Sequence, residues 1–239
     1  MPSAVSSLLY AALNTQVDIL WVTNKLAKSC TDPGVKDFEA LLHVFGYLRA
    51  FPDYGLKFYA DISQSPVYKV CKKNGIEMTD ILAFSDTSWQ DCPDTGRSTA
   101  GYKIFVQGGL VDAQSTMPVP VALSSAEAEY MGACNAGAMV CHLRDLIYDF
   151  EFLGTENYNV NATTTAIPSI ILVDNQATVR MSKNYKVTGK NRHVGRRWHF
   201  VRQGVKGKLF NLCWIPGCLL YTSDAADDTP CVDLGGRRI

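Results

Sequence analysis

Residues 169–174 read Ser-Ile-Ile-Leu-Val-Asp, an apolar run closed by a carboxylate. A strand without polar alternation has to be covered on both faces, which points to a sheet packed between helices. A second run, Ile81-Leu82-Ala83-Phe84-Ser85-Asp86, is a strand that ends in the same residue type. Residues 102–106 and 110–116 give two more strands joined by the loop Gln107-Gly108-Gly109. Helices are predicted over 125–150, from 175 to about 184 and over 196–205, and a fifth strand over 208–215. Residues 154–168 read as a polar loop. The order βββαβαβ describes an α/β domain with a mixed five-stranded sheet and flanking helices.

The chain ahead of this domain has a different texture. Residues 4–51 read as helices, with Ile19, Leu20, Val22, Leu26 and Ala27 at helical spacing. After Asp32-Pro33-Gly34, the residues Phe38, Leu41, Leu42, Phe45 and Leu48 repeat at the same period. Asp32 reads as an N-cap and Pro33 as the first helical position. Residues 56–59 read as a short strand and 60–78 as a polar connector. The expected organisation is a helical segment over 1–60, a connector over 61–78, the α/β domain over 79–217 and a tail over 218–239.

Hydrophobic residues make up 47 % of the 239 and charged residues 19 %, which excludes global disorder. The net charge is zero, but its distribution is uneven. Ten Lys or Arg and no acid occur from residue 180 to 208, a block suited to a phosphate backbone. The eight cysteines form no CxxC pair and read as reduced thiols, several of them buried. The triplet Asn161-Ala162-Thr163 matches a glycosylation sequon by chance. The N-terminus has no basic leader ahead of its apolar run, and no apolar stretch is long enough for a membrane span. The expected location is cytoplasmic or nuclear.

Three acids stand out. Asp86 and Asp174 close strands, and Glu129 lies in the small-residue run Ser-Ser-Ala-Glu-Ala-Glu-Tyr that opens the long helix. They are spaced by 43 and 45 residues, and a small α/β domain can bring such positions to one point. Hard divalent cations take oxygen ligands, and two of them about 3.5–4 Å apart clamp the two oxygens of a phosphodiester displacement. Each acid also has a plainer use. Asp86 can cap a turn. Asp174 can cap the next helix, although Asn175 can do so instead. Glu127 competes with Glu129, but residues two apart do not share a helix face. Ser124-x-x-Glu127 fits a capping box, which leaves Glu129 for a cation. Without cations the mutual repulsion of the acids raises at least one carboxylate pKa.

The motifs now assembled resemble the end of a copia-type retrotransposon Pol polyprotein. Leu8-Leu9-Tyr10-Ala11-Ala12, Val44-Phe45-Gly46-Tyr47-Leu48-Arg49 and Asp53-Tyr54-Gly55-Leu56 resemble the helical segment after the reverse transcriptase core. Asp86-Thr87-Ser88-Trp89, Gly96-Arg97-Ser98-Thr99-Ala100-Gly101-Tyr102, the run from Ala122 through Met131, and Asp174-Asn175-Gln176-Ala177 resemble its ribonuclease H domain. The resemblance implies a ribonuclease H fold, cleavage of the RNA strand of RNA–DNA hybrids, and Mg2+ (or Mn2+) held by Asp86, Glu129 and Asp174 as the catalytic acids. It implies the upstream reverse transcriptase core as a partner. It also allows a mobile histidine near the site, for which His193 and His199 are candidates. Arg192, Arg196 and Arg197 join them as candidate nucleic-acid contacts. The polymerase's Tyr-x-Asp-Asp motif is absent, so the chain is not expected to synthesise DNA.

From Cys218 the chain reads CLLYTSDAADD, which resembles a translated sequencing-library adapter. Residues 218–239 are therefore set aside, as a fusion scar would be. The family carries a fourth acid in this region, and Asp224, Asp227 and Asp228 are not assigned to it. Three functional readings follow: a hybrid-specific endoribonuclease, a non-catalytic nucleic-acid-binding or scaffolding remnant, and a DNA strand-transfer nuclease. Retention of the three acids favours the first. Loss of the fourth acid favours the second, and the resemblance at residues 97–102 argues against the third.

Overall fold

A computed structural model describes residues 1–92, 95–118, 121–149, 167–184 and 195–217. It divides into two compact units, one over Met1–Phe58 and one beginning at Tyr59.

The first unit contains helices α1 (Pro2–Asn14), α2 (Leu20–Lys28) and α3 (Val35–Ala50), with a 3-10 turn at Val17–Ile19. Its core is small: Val5, Leu8, Ala12, Ile19, Leu20, Leu26, Leu41 and Val44. The helical period expected for α3 holds, yet Phe38, Leu42 and Phe45 lie on its exposed side. The cap also differs from expectation. Gly34, not Asp32, is the N-cap, and its N–H donates to Asp37 Oδ2 at 2.9 Å. An acid inside the first turn satisfies the orphan donor there and suits the helix dipole. Residues 56–59 form no strand.

In the second unit the segment expected as a connector is structured. A 3-10 turn (Ile62–Gln64) leads to α4 (Pro66–Lys73). Its Val67 and Cys71 are buried against Leu82, Phe84, Phe105, Ile170, Leu172 and Ile215. Burial pushes the Cys71 thiol up to about 11, so it is an inert packing group. The segment looked polar because only two of the eight α4 residues are buried.

The sheet is the expected mixed five-stranded one. Strands β1 (Ile81–Ser88), β2 (Thr99–Val106) and β3 (Gly109–Thr116) form an antiparallel meander. The β2–β3 loop has two residues, Gln107 and Gly108, both at positive φ (50° and 76°). That is the geometry favoured in tight hairpins, and Gly109 therefore belongs to β3. Strands β4 (Ser169–Val173) and β5 (Phe210–Trp214) add in parallel, giving the order β3-β2-β1-β4-β5. All five β4 residues are buried, as the apolar run required. The long helix α5 (Ser125–Asp149) covers one face, with α6 (Gln176–Lys183) and α7 (Gly195–Lys206) beside it. Phe210 fills the space between α5 and α7. A Cβ at Gly137 or Gly204 would come within 2.9 and 2.4 Å of its ring. The polar loop expected over 154–168 and the tail from 218 fall almost wholly outside the described residues.

Candidate metal centre

Register brings the first two acids together. Parallel pairing of β1 with β4 runs from Leu82↔Ile170 to Ser85↔Val173, so Asp86 and Asp174 come next on adjacent strands. This places both at the carboxyl ends of parallel strands, where open α/β sheets present their ligand sites. Glu129 arrives from the first turns of α5. Oxygens of Asp86, Glu129 and Asp174 all lie within 4.8 Å of one another.

Helix α5 comes this close because it carries glycine at the contact. A Cβ on Gly132 would sit 2.4 Å from Thr87 Oγ1 and 3.0 Å from Ser85 Oγ. Gly132 is one turn beyond Glu129, so the close approach of the helix fixes where the carboxyl lands. Gly132→Ala is expected to lower stability by about 1–3 kcal/mol, read as a fall in melting temperature. A variant that melts like the parent would mean that Thr87 simply rotates away.

Neighbouring residues do the capping that was the plainer use of the acids at positions 127–129 and 174. Ser124 Oγ accepts from the Glu127 N–H at 3.2 Å, and Glu127 Oε2 accepts from the Leu123 N–H at 2.8 Å. Glu127 thus ties down the helix start, reaching one residue further back than a standard capping box. Asn175 caps α6, its Oδ1 accepting from Ala177 N–H at 2.9 Å. Asp174 is therefore not needed as the cap. Its backbone oxygen accepts from the indole N–H of Trp214 at 2.9 Å. A Cβ on Gly217 would lie 3.2 Å from Asp174 Oδ2.

One amide serves two acids: Thr87 N–H donates to Asp86 Oδ1 at 2.9 Å and to Glu129 Oε1 at 3.1 Å. The other Glu129 oxygen, Oε2, is buried without a hydrogen-bond partner. A buried ionised carboxylate with an unpartnered oxygen is costly. Burial, then the charges of Asp86 and Asp174, push Glu129 up from 4.5 to about 9, against the opposing Thr87 N–H. Burial also raises Asp174. An oxygen-rich cluster that cannot ionise fully by itself, with one oxygen aimed at no protein donor, fits a hard divalent cation.

The other candidates fare differently. His199 lies exposed on α7, which also carries Arg196 and Arg197. Arg192 and His193 lie outside the described residues. Neither the Thr87 amide nor the Trp214 bond to Asp174 has a signature in the sequence. Gly132 had a faint one, as part of the run of small residues in α5.

No family model matches the chain. It is 26 % identical over 203 residues to the retrovirus-related Pol polyprotein from transposon TNT 1-94 of Nicotiana tabacum. That match covers 85 % of this chain, which spans only 13 % of the polyprotein's length. It is 31 % identical over 134 residues to secreted RxLR effector protein 161 of Plasmopara viticola, covering 56 % of this chain and 84 % of that protein. Among solved structures it is similar to LC11-RNase H1 isolated from compost by a metagenomic approach. The TM-score is 0.43 and the identity 14 %, over 62 % of this chain and 93 % of that one.

Proposed function

We propose that the chain is the ribonuclease H-like part of a retrovirus-related Pol polyprotein of a copia-type transposon, and that it is a metal-dependent endoribonuclease cutting the RNA strand of RNA–DNA hybrids. The observation that carries this reading is the meeting of Asp86, Glu129 and Asp174 within 4.8 Å, from three separate elements.

In this reading the three carboxylates hold Mg2+, with Mn2+ as a substitute. When bound, the cations supply Lewis-acid activation of water and charge neutralisation at the leaving 3′ oxygen. The protein's own part is positional. Thr87 N–H orients Asp86 and Glu129 together and leaves Glu129 Oε2 without a protein partner. Trp214 N–H anchors the main chain at Asp174. Asn175 and Glu127 perform the capping that would otherwise draw the site acids away. Positive charge in the segment 180–208 contacts phosphates, with Arg196, Arg197 and His199 on α7 as the candidates inside the described residues. Recognition of an A-like duplex through its shallow groove and 2′-hydroxyls gives weak sequence preference. The rest of the polyprotein, with its reverse transcriptase core, supplies the hybrid and is the expected partner.

The test is cleavage of a labelled hybrid beside RNA and DNA duplexes of the same sequence, with Mg2+ and with a chelator. The expected outcome is slow cutting of the hybrid RNA strand alone, and only with the cation. Cutting that persists in chelator, or equal cutting of duplex DNA, would remove the reading. Binding of the hybrid without cutting would favour the non-catalytic remnant.

A further inference from the structure

Two tryptophans are hydrogen-bonded to the segments that carry the acids, and both are half-exposed. Trp89 follows Asp86 by three residues and is 45 % exposed, and Trp214 ends β5 and is 44 % exposed. Indole has a single hydrogen-bond donor. Trp89 Nε1 donates to Ala122 O at 3.1 Å and Trp214 Nε1 to Asp174 O at 2.9 Å. The acceptors belong to the segments that carry the site: Asp174 is one of the acids, and Ala122 lies just ahead of α5. The rings are thus locked to the frame of the carboxylates. With the N–H satisfied, the part of each ring left in water is apolar, and leaving it there stabilises nothing in the fold.

We propose that Trp89 and Trp214 are the aromatic contacts of this site for a nucleic-acid strand, their exposed faces packing on ribose rings and base edges to either side of the acids. The inference rests on the nuclease reading, because the strand has to cross the acid cluster. Cations and basic side chains hold a strand by its phosphates, so contacts to its ribose rings and bases beside the cluster have to draw on something other than charge. Aromatic faces do so without reading sequence. In an A-like hybrid the shallow groove displays ribose and base edges to a surface of this kind. A protein partner fits less well. β4, ending at Asp174, lies between the strands from which the two rings depart, so an occupant that touches both rings has to pass over the acids, as a strand to be cut does.

The experiment uses the full chain and four variants, Trp89→Ala, Trp89→Phe, Trp214→Ala and Trp214→Phe. Hybrid affinity is read by anisotropy of a labelled RNA–DNA hybrid in Ca2+, and cation affinity by Mn2+ calorimetry. Each alanine variant is expected to weaken hybrid binding roughly 5- to 20-fold. Each phenylalanine variant, which lacks the N–H but keeps a ring, recovers most of that loss. Mn2+ affinity stays unchanged in both Trp89 variants and falls by the same factor in Trp214→Ala and Trp214→Phe, which lose the anchor on Asp174 alike. Alanine variants that bind the hybrid like the parent overturn the proposal. So does a joint loss of hybrid and Mn2+ affinity in both Trp89 variants, or a hybrid loss in Trp214→Phe as large as in Trp214→Ala, which would make the indoles struts for the acids and nothing more. A parent chain that binds the hybrid but leaves it whole in Mg2+ rejects the nuclease reading, and the alanine–phenylalanine comparison still decides this one. A parent chain that binds no hybrid overturns both.

Discussion

Asp174→Asn is expected to abolish Mg2+-dependent hybrid cleavage, by about 1,000-fold or more, while the melting temperature in chelator holds or rises. The reasons lie in what surrounds the side chain. Asn175 is the cap of α6, so the helix start does not depend on Asp174. The bond from Trp214 goes to the Asp174 backbone oxygen, which asparagine keeps. Burial raises the Asp174 carboxyl, so its charge opposes folding when no cation is present. Asparagine is nearly isosteric and neutral. It removes a cation ligand and a repulsion together, and leaves the packing alone. Asp86→Asn follows the same logic, because an amide oxygen can still accept from the Thr87 N–H. Cleavage by both variants at the parent's level would identify a contaminating nuclease. A matched loss of activity and of melting temperature would make the acids structural.

The sequence was most legible where burial leaves a one-dimensional trace. The run Ile170 to Val173 could only be a strand covered on both sides, and all of it is buried. The competition between Glu127 and Glu129 was resolved by local rules alone. A capping residue is set by its distance from the helix start, which is visible in sequence. Segment 60–78 was misjudged for the opposite reason. Helix α4 is short and mostly solvated, and its two anchoring residues, Val67 and Cys71, carry too little pattern to register. The exposed stripe on α3 shows a further limit, since the spacing of Phe38, Leu42 and Phe45 gives the helix but not which side is covered. At the site, Asp86 and Asp174 drew notice as carboxylates closing apolar runs, although β1 continues two residues past Asp86 to Ser88, and Glu129 was picked out by the capping rule and the resemblance. The Thr87 amide was not, because every residue but proline has one and only tertiary geometry singles this one out.

Glu129→Gln is expected to change how stability depends on pH, and the cause is the same convergence. In the folded chain without cation, burial and the nearby Asp86 and Asp174 hold Glu129 protonated up to about 9, against 4.5 when unperturbed. Between those values the folded state keeps a proton that the unfolded state has lost. Unfolding stability therefore falls as pH rises through that window. The cost at neutral pH is on the order of 3 kcal/mol. Glutamine keeps an acceptor for the Thr87 N–H and cannot ionise, so the variant should be the more stable protein above about pH 6 in chelator. Its stability should also be nearly flat where the parent's declines. Adding Mn2+ should restore the parent and leave the variant unmoved, because only the parent can exchange a proton for a cation. Calorimetry of Mn2+ binding at pH 7, in buffers of different ionisation enthalpy, should register release of about one proton from the parent. A parent whose melting temperature in chelator is level from pH 5 to 9 would show that Glu129 ionises freely. The three carboxylates would then be too far apart, or too well hydrated, to share an ion.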